Sequence, residues 1–248
     1  MKHIPNSITL LNLLSGAIGV VAALSGFWQI AFWLMIAAAV FDFFDGFAAR
    51  LLHVSSPVGK ELDSLADLIS FGFLPSVMLY RMLYESINLP DVAITGFLNL
   101  IPFVSLIVLA SSALRLAKFN VDTRQSVFFV GMPTPANAIF IGGVSLVNHA
   151  VCHCNSLGKF VSDYRFVLAI VVFSSIMPLI NLPMLSLKFY NLSFKQNFWR
   201  YLLIFGAIVI FSIFIYVWYM SVSIIILYYV LLSLLWTLFT KPLQNNKL

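Results

Sequence analysis

The sequence predicts an all-α integral membrane protein with about eight transmembrane helices, and three observations predict it. Hydrophobic residues make up 61% of the chain and charged residues 9%, with a mean hydropathy of +1.00, well beyond what a soluble core needs. Apolar runs of spanning length recur from end to end, separated by short polar breaks. Lysine and arginine gather at alternate breaks, the bias that orients helices in a bilayer. The net charge of +5 is small, and with no Lys/Arg tract no nucleic-acid partner is expected.

The runs fall at about Ser7–Gly26, Trp28–Ala49, Gly59–Tyr84, Val92–Ala117, Thr134–Ala150, Tyr164–Ile180, Tyr201–Trp218 and Ser221–Thr240. Each can cross a core of about 30 Å at about 1.5 Å per residue. The first lacks an A-x-A cleavage site and is too long for a secretory h-region, so it is expected to be retained. Eight crossings put both termini on one side. Lys2, Arg50, Lys60, Arg115, Lys118, Arg124, Lys188, Lys195, Arg200, Lys241 and Lys247 fall on that side; Arg81, Lys159 and Arg165 fall opposite. The positive-inside rule makes the terminal side cytoplasmic, in a multi-pass protein of the cell membrane.

The first helix carries Asn6, Thr9 and Asn12 at i, i+3 and i+6, a polar edge on an otherwise apolar cylinder. Helix capping by Asn6 and interhelical hydrogen bonding by the others is one reading; a polar ligand pocket is the other.

The second and third helices hold the chemistry. Five of the nine acidic residues lie between Asp42 and Asp67, although an ionised group at bilayer depth costs about 2.5–3.5 kcal/mol. At about 100° per residue, Asp42, Asp45, Gly46 and Ala49 share one narrow helix face, while Gly59, Asp63 and Asp67 form an i, i+4, i+8 stripe with Ser70 on the same side. Ser56 before Pro57 reads as an N-cap with proline at the first helical position. Two antiparallel helices thus present two aspartates each across one gap, and Gly46, Ala49 and Gly59 leave space for a phosphate-bearing ligand. Oxygen-only ligation points to Mg²⁺ or Mn²⁺, and four carboxylates suit two ions. Helix caps or ion-pair partners are the alternative, but Arg50 and Lys60 are too few bases for five acids.

The fourth helix ends Ser111-Ser-Ala-Leu-Arg115-Leu-Ala-Lys118-Phe-Asn120. Arg115 and Lys118 lie on one stripe, where they can hold a phosphate or a carboxylate, or simply anchor the interface. The segment Gly131-Met-Pro133-Thr-Pro135-Ala136 then stiffens the start of the fifth helix. Cys152, His153 and Cys154 fall on the side away from the aspartates at a spacing that suits neither zinc nor haem attachment. Pro183–Arg200 mixes aromatics and cations like an interfacial segment, and the last two helices are almost wholly apolar.

The pattern D-x2-DG-x2-AR-x8-G-x3-D-x3-D, from Asp42 to Asp67, resembles the signature of the CDP-alcohol phosphotransferase family at every fixed position. The endings R-x-x-[KR]-F-N and G-[LM]-P-x-P-A resemble its phosphatidylserine synthase branch. The resemblance covers roughly the first six helices. It implies a six-helix catalytic core in residues 1–182, followed by an interfacial segment and two C-terminal helices in residues 183–248. It implies transfer of the phosphatidyl group of CDP-diacylglycerol to L-serine with release of CMP, glycerol 3-phosphate or an inositol phosphate being the alternative acceptors. Metal ligation then falls to Asp42, Asp45, Asp63 and Asp67, with Asp67 also the proton acceptor. Gly46, Arg50 and Ser56 are placed against the nucleotide, Asn6 and Thr9 in the cytidine-side helix, and a homodimer is implied. A divalent-cation carrier is the reading from another class; the absence of acidic residues in the distal half of the membrane speaks against it.

Overall fold

The structure, a computed structural model, describes residues 3–54, 56–87, 96–121, 129–150, 156–185 and 194–240. Nine helices run through these residues: α1 (His3–Leu24), α2 (Trp28–Leu51), α3 (Pro57–Ile87), α4 (Leu100–Val121), α5 (Thr134–Ala150), α6 (Ser156–Ser162), α7 (Tyr164–Ile176), α8 (Phe194–Ile213) and α9 (Trp218–Thr240). The described part of each of the eight expected runs overlaps at least one of them. Five helices, α1 to α4 and α9, are long and apolar enough to cross a bilayer. The 17 residues of α5, the 13 of α7 and the stretch of α8 beyond its kink at Asn197 are shorter. The chain is an all-α integral membrane protein.

In lipid, helices do not associate to escape water, so their contacts rest on close packing and interhelical hydrogen bonds. Small residues mark those contacts here. A Cβ on Gly16 of α1 would sit 2.7 Å from the Cα of Ser70 in α3, so the two backbones touch. Gly142 of α5 lies against Phe32 and Met35 of α2, and its neighbour Gly143 against Ser223 of α9. α5 is therefore wedged between α2 and α9, and Ser223 Oγ donates to the Phe140 carbonyl at 3.1 Å. Phe32, Met35, Phe71, Leu74, Met78 and Phe140 are fully buried where these helices meet. The outer faces stay apolar: Val21, Phe43, Phe205 and Leu238 are all exposed, as hydrocarbon contact requires.

Two irregularities interrupt the helical pattern. Residues Leu68–Phe73 of α3 form a π turn directly after Asp67, a feature concentrated at functional sites. Phe129–Val130 and Pro183–Met184 form a two-residue antiparallel pair, β1 and β2, outside the all-helical expectation. Gly131 makes the turn after β1 possible: its φ is +74°, and a Cβ there would lie 2.5 Å from the Pro178 carbonyl oxygen. The cluster Cys152, His153 and Cys154, and Lys188 to Tyr190 of the expected interfacial segment, lie outside the described residues.

Candidate active site

α2 ends in a Schellman motif. The amide of Val54 donates to the Ala49 carbonyl and that of His53 to the Arg50 carbonyl, with His53 in the left-handed region at φ 50°, a position more often held by glycine. The chain then re-enters helix at Pro57, where Ser56 Oγ accepts from the Gly59 amide at 2.9 Å. This cap, predicted by the Ser-Pro pair, turns α3 back along α2 so that the aspartates of the two helices face each other.

Carboxylate oxygens of Asp42, Asp63 and Asp67 all lie within 4.8 Å of one another. Asp45, 6% exposed, stands beside them and accepts from Thr9 Oγ1 at 2.7 Å. Asn12 Nδ2 donates to Asp67 Oδ1 at 3.2 Å. Ser70, in the π turn, donates to the Asn12 carbonyl at 3.0 Å. α1 therefore braces both ends of the carboxylate group, Thr9 holding Asp45 and Asn12 holding Asp67.

The donor set fits a hard divalent cation. It is all oxygen, and none of the four carboxylates has a lysine or arginine at ion-pair distance among the described residues. Asp63 Oδ1 is buried without a hydrogen-bond partner. Buried carboxylates gathered without a counter-charge are strongly destabilising, so the arrangement calls for positive charge at that point.

Beside the carboxylates a cleft of about 190 Å³ opens between α1, α2 and α3. Six sequence-predicted residues line it: Asn6 and Thr9 from α1, Gly46 and Ala49 from α2, and Ser56 and Gly59 from the cap of α3. Asp45 and Asp63 line it as well. Nothing lies within 4 Å of where a Gly46 Cβ would project, so that glycine holds the cleft open. Gly59 is tighter, its Cβ position 3.1 Å from Asn6 Oδ1. Arg50 is exposed at the end of α2 and does not line the cleft. Arg115 is buried and within electrostatic reach of Asp67, whereas Lys118, one turn on, is exposed.

Further contacts complete the site. Asn12, on the polar edge of α1, meets Asp67, a pairing across helices that spacing within α1 does not specify. Lys60 lines the cleft and donates to the Asn120 carbonyl at 3.0 Å. Asn120 Nδ2 in turn donates to Ser64 Oγ at 2.7 Å, joining α3 to the end of α4. Arg115 Nη1 donates to Thr134 Oγ1 at 3.2 Å, so the R-x-x-K-F-N and G-M-P-T-P-A segments meet in space.

The profile of the CDP-alcohol phosphatidyltransferase family matches residues 2–239, and the chain belongs to that family. Among curated relatives, it is 35% identical over 151 residues to CDP-diacylglycerol–serine O-phosphatidyltransferase of Mycobacterium leprae, covering 58% of this chain and 47% of that protein. It is 34% identical over 139 residues to the enzyme of the same name from Helicobacter pylori strain 26695, covering 55% and 54%. The Bacillus subtilis enzyme of that name is 33% identical over 139 residues, covering 54% and 71%. The chain spans about half the length of the first two of these relatives.

Proposed function

We propose that this protein transfers the phosphatidyl group of CDP-diacylglycerol to the hydroxyl of L-serine, giving phosphatidylserine and CMP. The observation that carries the reading is the carboxylate group of Asp42, Asp63 and Asp67 beside a cleft that Asp45 and Asp63 help to line, in a chain whose curated relatives carry the name CDP-diacylglycerol–serine O-phosphatidyltransferase. Two Mg²⁺ or Mn²⁺ ions, held by these four aspartates, would supply Lewis-acid charge at the pyrophosphate.

The chain's own residues do the rest. Gly46 and Gly59 let the phosphate-bearing part of the substrate approach the backbone of α2 and α3. Asn6 and Thr9 face the nucleotide from α1 and Ser56 from the cap of α3, while Arg50 stands outside the cleft at the end of α2. The diacyl tails lie among the helices, where an apolar groove of about 400 Å³ runs between α4 and α7. Asn12 holds one oxygen of Asp67 and so orients that carboxylate. Asp67 takes the proton of the serine hydroxyl as its oxygen attacks the phosphorus bearing the diacylglycerol. The bond from that phosphorus to the CMP oxygen breaks, and CMP leaves with the electron pair. Arg115, with Lys118 nearer the interface, supplies positive charge on the acceptor side.

In this reading residues 1–182 form the catalytic core, residues 183–248 add an interfacial segment and two more helices, and the cleft faces the cytoplasm from within the cell membrane. Two copies associate as a homodimer. The test is purified protein in nanodiscs with radiolabelled CDP-diacylglycerol and L-serine, glycerol 3-phosphate or an inositol phosphate in turn. CMP release and a phosphatidylserine product with L-serine are expected; CMP release with glycerol 3-phosphate but not serine overturns the choice of acceptor.

A further inference from the structure

The last helix is almost wholly apolar, yet Tyr229, Ser233 and Thr237 stand at i, i+4 and i+8, a polar stripe along one face of α9. A spanning helix turns its polar side chains toward partners on neighbouring elements. Here the partner is one short stretch of backbone. The Tyr229 hydroxyl donates to the Leu185 carbonyl at 3.1 Å, Ser233 Oγ accepts from the Leu185 amide at 3.2 Å, and Thr237 Oγ1 lies 3.3 Å from the Pro183 carbonyl oxygen. Ser233 is fully buried and passes its own proton to the Tyr229 carbonyl at 2.8 Å, which ties the stripe together.

The stretch so gripped is β2 and the residue after it. Its strand partner β1 leads straight into α5: Phe129 lies opposite Met184 and Val130 opposite Pro183. The Gly131 amide then donates to the Leu182 carbonyl at 2.9 Å and the Met132 amide to the Met177 carbonyl at 3.1 Å. Two residues on, Thr134 opens α5 and accepts from Arg115 Nη1 at 3.2 Å. Residues 177–185 are thus bonded both to the entry of α5 and to α9. An isolated two-stranded ribbon is marginally stable at best, and a pair of two residues is shorter than any that stands alone. The hydroxyls of α9 supply the bonds it lacks.

We propose that α9 is a strap across the entry to α5, and that Tyr229 and Ser233 are positioning residues for the reaction: by fixing residues 183–185 they fix β1, Thr134 and, through Thr134, the Arg115 side chain. The inference rests on the proposed transfer, in which Arg115 stands on the acceptor side, and it gives the last helix a task. It also divides the site in two. The cleft is lined entirely by residues from 5 to 63, whereas α9 packs on α5, α8 and β2. The strap therefore acts on the acceptor and not on CDP-diacylglycerol.

Tyr229→Phe and Ser233→Ala each remove one hydroxyl and little volume. In full-length protein in nanodiscs, each is expected to raise the KM for L-serine about threefold to tenfold, the range that one hydrogen bond spans, with kcat and the KM for CDP-diacylglycerol at wild-type values. A loss of folded protein alone would lower kcat and leave both KM values in place. Thr134→Val cuts the link between the strap and Arg115, so it should raise the serine KM by itself, and adding Tyr229→Phe or Ser233→Ala to it should raise that KM no further. An unchanged serine KM in both single variants, or effects that multiply with that of Thr134→Val, overturns the strap. Wild-type protein that releases CMP with glycerol 3-phosphate and not with serine overturns the acceptor beneath it, and the same comparison of KM values is then made with glycerol 3-phosphate.

Discussion

Asp67 is proposed to carry two duties, one shared with its neighbours and one, that of base, its own. It closes the carboxylate group with Asp42 and Asp63, and it is the one of the four to which Asn12 donates. Replacing one carboxylate oxygen by an amide nitrogen keeps the size of the side chain, but removes the proposed proton acceptor. Asp67→Asn is therefore expected to lower kcat by at least about a hundredfold, the lower range for loss of a general base, while metal-dependent CDP-diacylglycerol binding stays measurable by titration calorimetry. Asp42→Asn and Asp45→Asn should lose turnover and binding together, since neither has the second duty. Equal loss of binding in all three would remove the assignment of Asp67 as base. The pairing of aspartates within each helix was legible because helical spacing is local: residues three and four apart share a face whatever the rest of the chain does. The contacts of Asn12 with Asp67 and of Arg115 with Thr134 were not, since each joins helices whose relative rotation no local rule sets.

At the scale of elements, α3 does most to shape the site, and it is irregular at both ends of its active half. Its first turn is capped by Ser56 and faces the cleft; its π turn follows Asp67 and brings Ser70 against α1. The Ser-Pro signature announced the cap. Nothing announced the π turn, because Leu68-Ile-Ser-Phe-Gly-Phe73 is as apolar as any spanning helix, and the extra residue per turn is stabilised by contacts with α1 and α4 rather than by composition. The cap can be separated from the binding role of the same residue. Ser56→Ala removes the oxygen bound to the Gly59 amide and should cost about 1 kcal/mol, read as a lower thermal midpoint in detergent. Ser56→Asp restores a good cap but sets a negative charge in the wall of a cleft proposed to hold a pyrophosphate. It is expected to melt near wild type while the KM for CDP-diacylglycerol rises about tenfold or more, the factor that about 1.4 kcal/mol of repulsion produces. Should Ser56→Asp leave that KM untouched, Ser56 caps α3 and does not face the substrate.

At the scale of the whole molecule, hydropathy made the helices legible but not the number of crossings, because α5, α7 and the kinked α8 are short for a core of about 30 Å. Charge supplies the missing constraint. Arg50 and Lys60 at the α2–α3 turn and Lys118 at the end of α4 belong to one side by connectivity, since α3 and α4 are two successive spans. Arg165 at the start of α7 belongs to the other if α5 crosses. Both Lys118 and Arg165 are exposed, so each can report its side. In a variant with Cys152 and Cys154 replaced by serine, Lys118→Cys and Arg165→Cys are expected to respond oppositely to a membrane-impermeant maleimide applied to intact spheroplasts. Arg165→Cys should label at once, and Lys118→Cys only after permeabilisation. That result puts the mouth of the cleft on the cytoplasmic side, where a CDP-linked lipid and a free amino acid both have access to it. Prompt labelling at both positions would mean that α5 does not cross, and labelling of Lys118→Cys alone would turn the cleft outward and leave the proposed reaction without its soluble acceptor.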